Sequence, residues 1–177
     1  MVNRNDITDW AQETEARVAK GVALFKQGYN CSQSVAMTFA DWYDVPQGLM
    51  ARISASYGGG IGRMRQTCGS ALGMYMLAGL EIASEEANQD IKRQNYEAVQ
   101  QLAATFREKA GSTVCSELLG LNKQRADGTI PEIVICATPE ARTDEYYRKR
   151  PCIRMVETAI RIYMDYLRTR TDIDNKE

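Results

Sequence analysis

The sequence predicts an all-α fold: a single-domain helical bundle of about six or seven helices, mostly up-and-down. Three observations lead there. Apolar residues recur at helical spacing along most of the chain. Glycines and capping residues punctuate the periodic runs. Only "EIVIC", residues 132–136, reads as a strand, and it is short and unpartnered. A length of 177 residues suffices for one domain whose core needs no covalent staples.

Taken in order, the first helix is expected from Asp6 to about Gln27, with Val18, Val22 and Phe25 on one face. "GYN" ends it, Gly28 serving as a C-terminal cap and Asn30 as the cap of the next helix. A second helix runs from Cys31 to about Tyr43, and a third from Gly48 to Tyr57, where Gly58-Gly59-Gly60 stops it. The fourth covers about Thr67 to Ala83, with Thr67 as cap. A long fifth runs from about Gln89 to Ala110, ended by Gly111.

Ser112-Thr113 can cap a short helix over "VCSELLG". From Gly120 to about Thr138 the chain is least regular. Thr138-Pro139 resembles an N-cap followed by proline at the first helical position, opening a helix through about Lys149. The last helix begins at Pro151-Cys152 and runs to about Thr169. Ile153, Val156, Ile160, Tyr163 and Leu167 form one apolar row, with Met155, Ala159, Ile162 and Tyr166 beside it. An apolar arc so wide belongs to a central helix or a subunit interface. The tail, about 170–177, is expected to fray.

Composition narrows the chemistry. A net charge of -1 gives no broad field for nucleic acid or an anionic membrane. Arg148-Lys149-Arg150 is an isolated basic run that reads as a solvated helix end. The uncharged stretch from Cys68 to Leu80 is too short to span a bilayer. The N-terminus has no apolar signal region, so a cytoplasmic location is the expectation. Histidine is absent, which excludes His-dependent triads and imidazole metal sites. Glu81, Glu85 and Glu86 read as a helix end beside solvent rather than as catalytic acids.

The five cysteines, Cys31, Cys68, Cys115, Cys136 and Cys152, are widely spaced, with no C-x-x-C. Four of them, all but Cys136, fall in the first turn of an expected helix. Free backbone N–H groups and the positive helix end favour a thiolate there. Cysteine is also a common core residue, so unconnected buried thiols are the plain alternative. Cys136 fits no pattern and reads as a spare thiol.

"YGGGIGRMRQ" lacks the spacing of a nucleotide-binding loop and follows a helix. It reads either as a tight turn or as a cradle. In the second case the backbone at Gly59, Gly60 and Gly62, with Arg63 or Arg65, would surround the Cys68 sulfur and hold it as a thiolate. Gly69 and Gly73 share one helix face, and small residues at that spacing let another helix approach. Simple packing explains this, but the approaching helix could also bring a second cysteine.

Four segments, in order, resemble the family of redox-active proteins named for a C, GCAxxG, C, C arrangement, whose central signature reads CGAxxG. They are "YNCSQSV", "GGGIGRMRQTCGSALG", "VCSELLG" and "PCIRMVETAI". The resemblance spans about Val18 to Leu167. Ser70 stands where the signature has alanine, and Cys136 adds a cysteine before Cys152, the favoured last member. The resemblance implies a redox role.

Two redox readings follow. Cys31, Cys68, Cys115 and Cys152 could bind zinc or an iron–sulfur cluster for electron transfer, since no histidine is on offer. Alternatively, with no cofactor, Cys68 attacks as a low-pKa thiol and Cys31 or Cys115 resolves. A non-catalytic helical module, dimerising through the last helix, is the third reading. The redox readings call for a redox partner protein, and the third for a homodimer; nucleic acid and membrane are not expected partners.

Overall fold

The computed structural model describes Val2 and residues 4–174, with side chains through Thr171. Eight α-helices run through them: α1 (Trp10–Lys26), α2 (Cys31–Thr38), α3 (Gln47–Ser54), α4 (Gly69–Ile82), α5 (Gln89–Ala110), α6 (Cys115–Leu118), α7 (Asp144–Lys149) and α8 (Cys152–Asp174). Short 3-10 helices lie at Arg4–Asp6 and Ala55–Tyr57. The all-α class holds, with eight helices among the described residues against the expected six or seven.

Local chemistry sets the ends. Asp9 accepts from the N–H groups of Ala11 and Gln12, both at 2.9 Å, so α1 starts at Trp10 rather than Asp6. Asn30 and Gln33 form a reciprocal capping box that fixes the start of α2 at Cys31. α2 stops at Thr38, because hydrogen-bonded turns replace it up to Asp44, whose φ is +53°. Thr143 caps α7 by accepting from Tyr146 N–H, so the helix opens at Asp144 and not at Thr138-Pro139. "EIVIC" forms no strand, since no neighbouring segment offers it a ladder. α8 continues to Asp174 through much of the tail expected to fray; residues 175–177 lie outside the described residues.

α8 is the central helix. It packs against α1, α2, α4 and α5, and α2 packs against both α1 and α4. Met155, Val156, Ala159, Ile160, Ile162, Tyr163, Met164 and Leu167 are all buried along it. The Tyr163 ring meets Phe39 edge-on at 5.1 Å, and its hydroxyl bonds that of Tyr43. Tyr43 in turn donates to Glu81 at 2.9 Å. Glu81 also pairs with Arg4 and Arg170, and only 4 % of its side chain is exposed. It therefore anchors the bundle rather than facing solvent, because three partners replace its lost water. Among the described residues no helix is long and apolar enough to cross a membrane.

Candidate functional site

Each of the four first-turn cysteines arrives by a separate local device. Cys31, Cys115 and Cys152 are the first residues of α2, α6 and α8, and Cys68 is the N-cap of α4. Thr67 is not that cap. It forms an isolated antiparallel bridge with Val114. Around this bridge Cys68 N–H donates to Thr113 C=O at 2.8 Å, Cys115 N–H to Gln66 C=O at 2.6 Å, and Ser116 N–H to Arg65 C=O at 3.1 Å. Two distant stretches are thus clipped together, and Cys68 and Cys115 come with them.

α2 reaches α4 through the expected glycines. A Cβ at Gly69 would collide with Cys31 Sγ, and one at Gly73 would stand 2.8 Å from Ser32 C=O. Absence of both side chains lets the Cys31 sulfur rest against the backbone that follows Cys68.

The glycine-rich turn is left-handed over consecutive residues. Gly59, Gly60, Ile61, Gly62 and Arg63 all have φ between +55° and +74°, and Arg65 follows at +62°. Three non-glycine residues in that region cost roughly 1–2 kcal/mol each. The turn is held by N–H groups of Arg63, Arg65 and Gln66 donating to the carbonyls of Gly58, Gly59 and Gly60. Gly60 is tightly enclosed: a Cβ there would lie 2.7 Å from both Cys115 Cβ and Gln66 N. The turn brings Arg63 and Arg65 into the lining of the cysteine cavity.

These devices converge on one cavity of about 290 Å³, lined by Cys31, Cys68, Cys115 and Cys152 together. Gly59, Gly62, Arg63 and Arg65 also line it, as do Ser70, Glu140, Arg142, Tyr146 and Arg150. All five cysteines are free thiols; Cys68 and Cys115 are buried, Cys31 and Cys152 are half-buried, and Cys136 is exposed. Among the described residues no group of three or more Cys, Asp or Glu side chains is arranged to hold a metal ion.

Burial dominates the thiols. It pushes Cys68 well above the ordinary thiol range, the charge of Cys31 adds to this, and the N–H groups of Ala71 and Ser70 pull the other way. Cys152 is pushed up to about 12 by burial and then by Cys31. Cys115 is raised for the same two reasons, against the opposing charge of Arg65. Cys31 is the leading charged neighbour of all three.

The family model described as "Putative redox-active protein (C_GCAxxG_C_C)" matches residues 29–166. The chain belongs to that family. No curated protein and no solved structure matches it.

Seen as a C_GCAxxG_C_C protein, the chain brings together most of the residues singled out from its sequence. Cys31, Cys68, Cys115 and Cys152 share the cavity, with Arg63 and Arg65; Gly60 is excluded from the lining but seats Cys115. One expectation reverses. Cys68 is raised rather than lowered, because loss of water outweighs the helix-end amides. The arginines also act elsewhere than expected: the Arg65 charge favours the Cys115 thiolate, and Arg63 Nε donates to Cys136 C=O at 2.6 Å. The Cys136 thiol stays exposed, lowered by the N–H and side chain of Thr138 and then by Arg63 and Arg65.

Glu140, Arg142, Tyr146 and Arg150 were not visible as site residues. Arg150 belongs to the basic run expected to be a solvated helix end, yet it lines the cavity while Arg148 and Lys149 stay exposed. The one local signal is the change from "RTDEYYRKR" to "PC", which sets Arg150 two residues before the α8 cysteine, Cys152.

Proposed function

We propose that the four-cysteine cavity is a thiol–disulfide redox centre in which Cys31 exchanges with a substrate disulfide and Cys68 resolves it. The observation that carries this reading is the position of Cys31. It is the half-buried thiol whose sulfur abuts the Cys68–Gly69 backbone and whose charge acts on all three neighbours. Cys68, enclosed and held protonated, is suited to resolve rather than to attack first.

The sequence of events follows from the charges. Cys31, as thiolate, attacks one sulfur of a disulfide RS–SR′; a Cys31–S–S–R bond forms and R′S⁻ leaves, taking up the proton that Cys31 released. Cys31 is then neutral, and the charge that helped keep Cys68 protonated is gone. Cys68 loses its proton and attacks the Cys31 sulfur. A Cys31–Cys68 disulfide forms, and RS⁻ leaves with that proton. Two protein thiols are oxidised and one disulfide is reduced to two thiols, with no further reactant. Cys115 and Cys152 stand as a second pair of thiols beside the first.

The all-sulfur donor set favours a second reading, a zinc or iron–sulfur centre for electron transfer held by Cys31, Cys68, Cys115 and Cys152. It requires the cavity walls to close, because the sulfurs do not form such a group as they stand.

Anaerobic purification separates the two. Iron, zinc and free thiols are counted, a visible spectrum is recorded, and 2-hydroxyethyl disulfide is then added. Thiol exchange gives colourless, metal-free protein that loses the Cys31 and Cys68 thiols, with the exposed Cys136 reacting besides. Stoichiometric iron with absorption between roughly 320 and 460 nm, or stoichiometric zinc, supports the second reading. Metal-free protein whose buried thiols persist until it unfolds contradicts both.

A further inference from the structure

We propose that the cavity selects a small disulfide or thiol bearing carboxylate groups, which its arginines bind beside Cys31. This rests on the thiol-exchange reading above. Four guanidinium groups, those of Arg63, Arg65, Arg142 and Arg150, line the cavity, and Glu140 is the one acidic residue in that lining. The balance is cationic while the thiols are protonated.

Glu140 itself shows what these arginines take. Its carboxylate pairs with Arg150, whose Nε lies 3.1 Å away, and lies 3.6 Å from Arg63 and 3.9 Å from Arg65. It comes from an irregular stretch of the chain, and its side chain is 43 % exposed. One carboxylate shared by three arginines leaves donors over. An incoming carboxylate can add to this set or displace Glu140 from it, and Arg forks suit carboxylate geometry.

Two buried polar atoms of lining residues have no hydrogen-bond partner. Arg142 Nη1 is buried with no hydrogen-bond partner, although Nη2 of the same group donates to Tyr29 C=O at 3.2 Å. The Arg142 charge is carried instead by the faces of Phe25 and Tyr146, 4.3 and 4.8 Å from the ring centres. Ser70 Oγ, on a fully buried residue of the same lining, also lacks a partner. Buried polar groups are rarely left so.

The test compares two disulfides of similar length, 3,3′-dithiodipropionate, which is dianionic, and 2-hydroxyethyl disulfide, which is neutral. Loss of Cys31 thiol is followed by mass spectrometry at fixed ionic strength. The wild-type chain is expected to react at least about tenfold faster with the dianion, although free thiolates are repelled by it. In R142Q and R65Q that ratio falls to about twofold or less, and in E140Q it rises. Equal rates with the two probes in the wild-type chain overturn the anion preference and leave thiol exchange standing. Reaction with neither probe overturns the exchange reading. In that case calorimetric titration with glutarate, a redox-inert dicarboxylate, decides the anion site: binding that R142Q weakens about tenfold supports it, and no binding overturns it.

Discussion

Cys31 and Cys68 show how the same local placement yields different thiols. Both sit at the start of a helix, where backbone amides favour the ionised form, yet Cys68 is enclosed and Cys31 is half exposed. For Cys68, Cys115 and Cys152 the cost of losing water prevails, and all three are raised. The consequence for stability has a definite sign. A thiol whose folded pKa lies above its unfolded value of about 8.5 contributes stability that is complete below that value and lost as pH rises beyond it. Urea unfolding of the reduced protein should therefore show stability falling from about pH 8.5 upward, by up to about 1.4 kcal/mol per pH unit for each such thiol. A flat profile between pH 7 and 10 would contradict the burial argument. Ser70 offers a second test. S70A, which removes a buried hydroxyl without a partner and restores the alanine of the family signature, should raise stability by about 1 kcal/mol in the same assay.

At the scale of elements, the left-handed turn and the α2–α4 contact place the chemistry. In G60A a Cβ enters a space bounded by Gln66 N and Cys115 Cβ, at a backbone φ of +74°. This should cost about 3 kcal/mol or more and dislodge Cys115, read as a lower urea midpoint and faster alkylation of that thiol. G62A, with φ +55° and open space around it, should cost only about 1 kcal/mol. Similar losses for both would contradict the packing described. The contrast also marks what was legible beforehand. Gly69 and Gly73 could be read as a close-approach face because helical spacing is a local property. The meeting of residues 65–68 with 113–116 could not, since a single bridge between distant stretches leaves no periodic trace. Glu140 and Arg142 lie on an irregular stretch whose course is set by the arginines and aromatic rings it meets, so their roles emerge only in three dimensions.

For the molecule as a whole, α8 joins stability to function. Its buried rows hold α1, α2, α4 and α5, and its first residue, Cys152, faces the cavity. The apolar arc of this helix was plain in the sequence, because a 3.6-residue period over more than five turns has no rival reading. The helix starts carrying cysteines were equally plain, from Asn30, the glycine turn and Pro151. What escaped was the dielectric environment, as burial is a property of the assembled bundle rather than of any one segment. I160A, cut into the centre of α8, should cost about 2–5 kcal/mol by urea unfolding. Disulfide mapping after stoichiometric oxidation bears most directly on the account, comparing the wild-type chain with C31S and C136S. The expected result is a Cys31–Cys68 bond in wild type and C136S, and no disulfide among the remaining cavity cysteines of C31S. A C31S chain that oxidises as readily as wild type, or a wild-type disulfide that omits Cys31, would contradict the central role given to that residue.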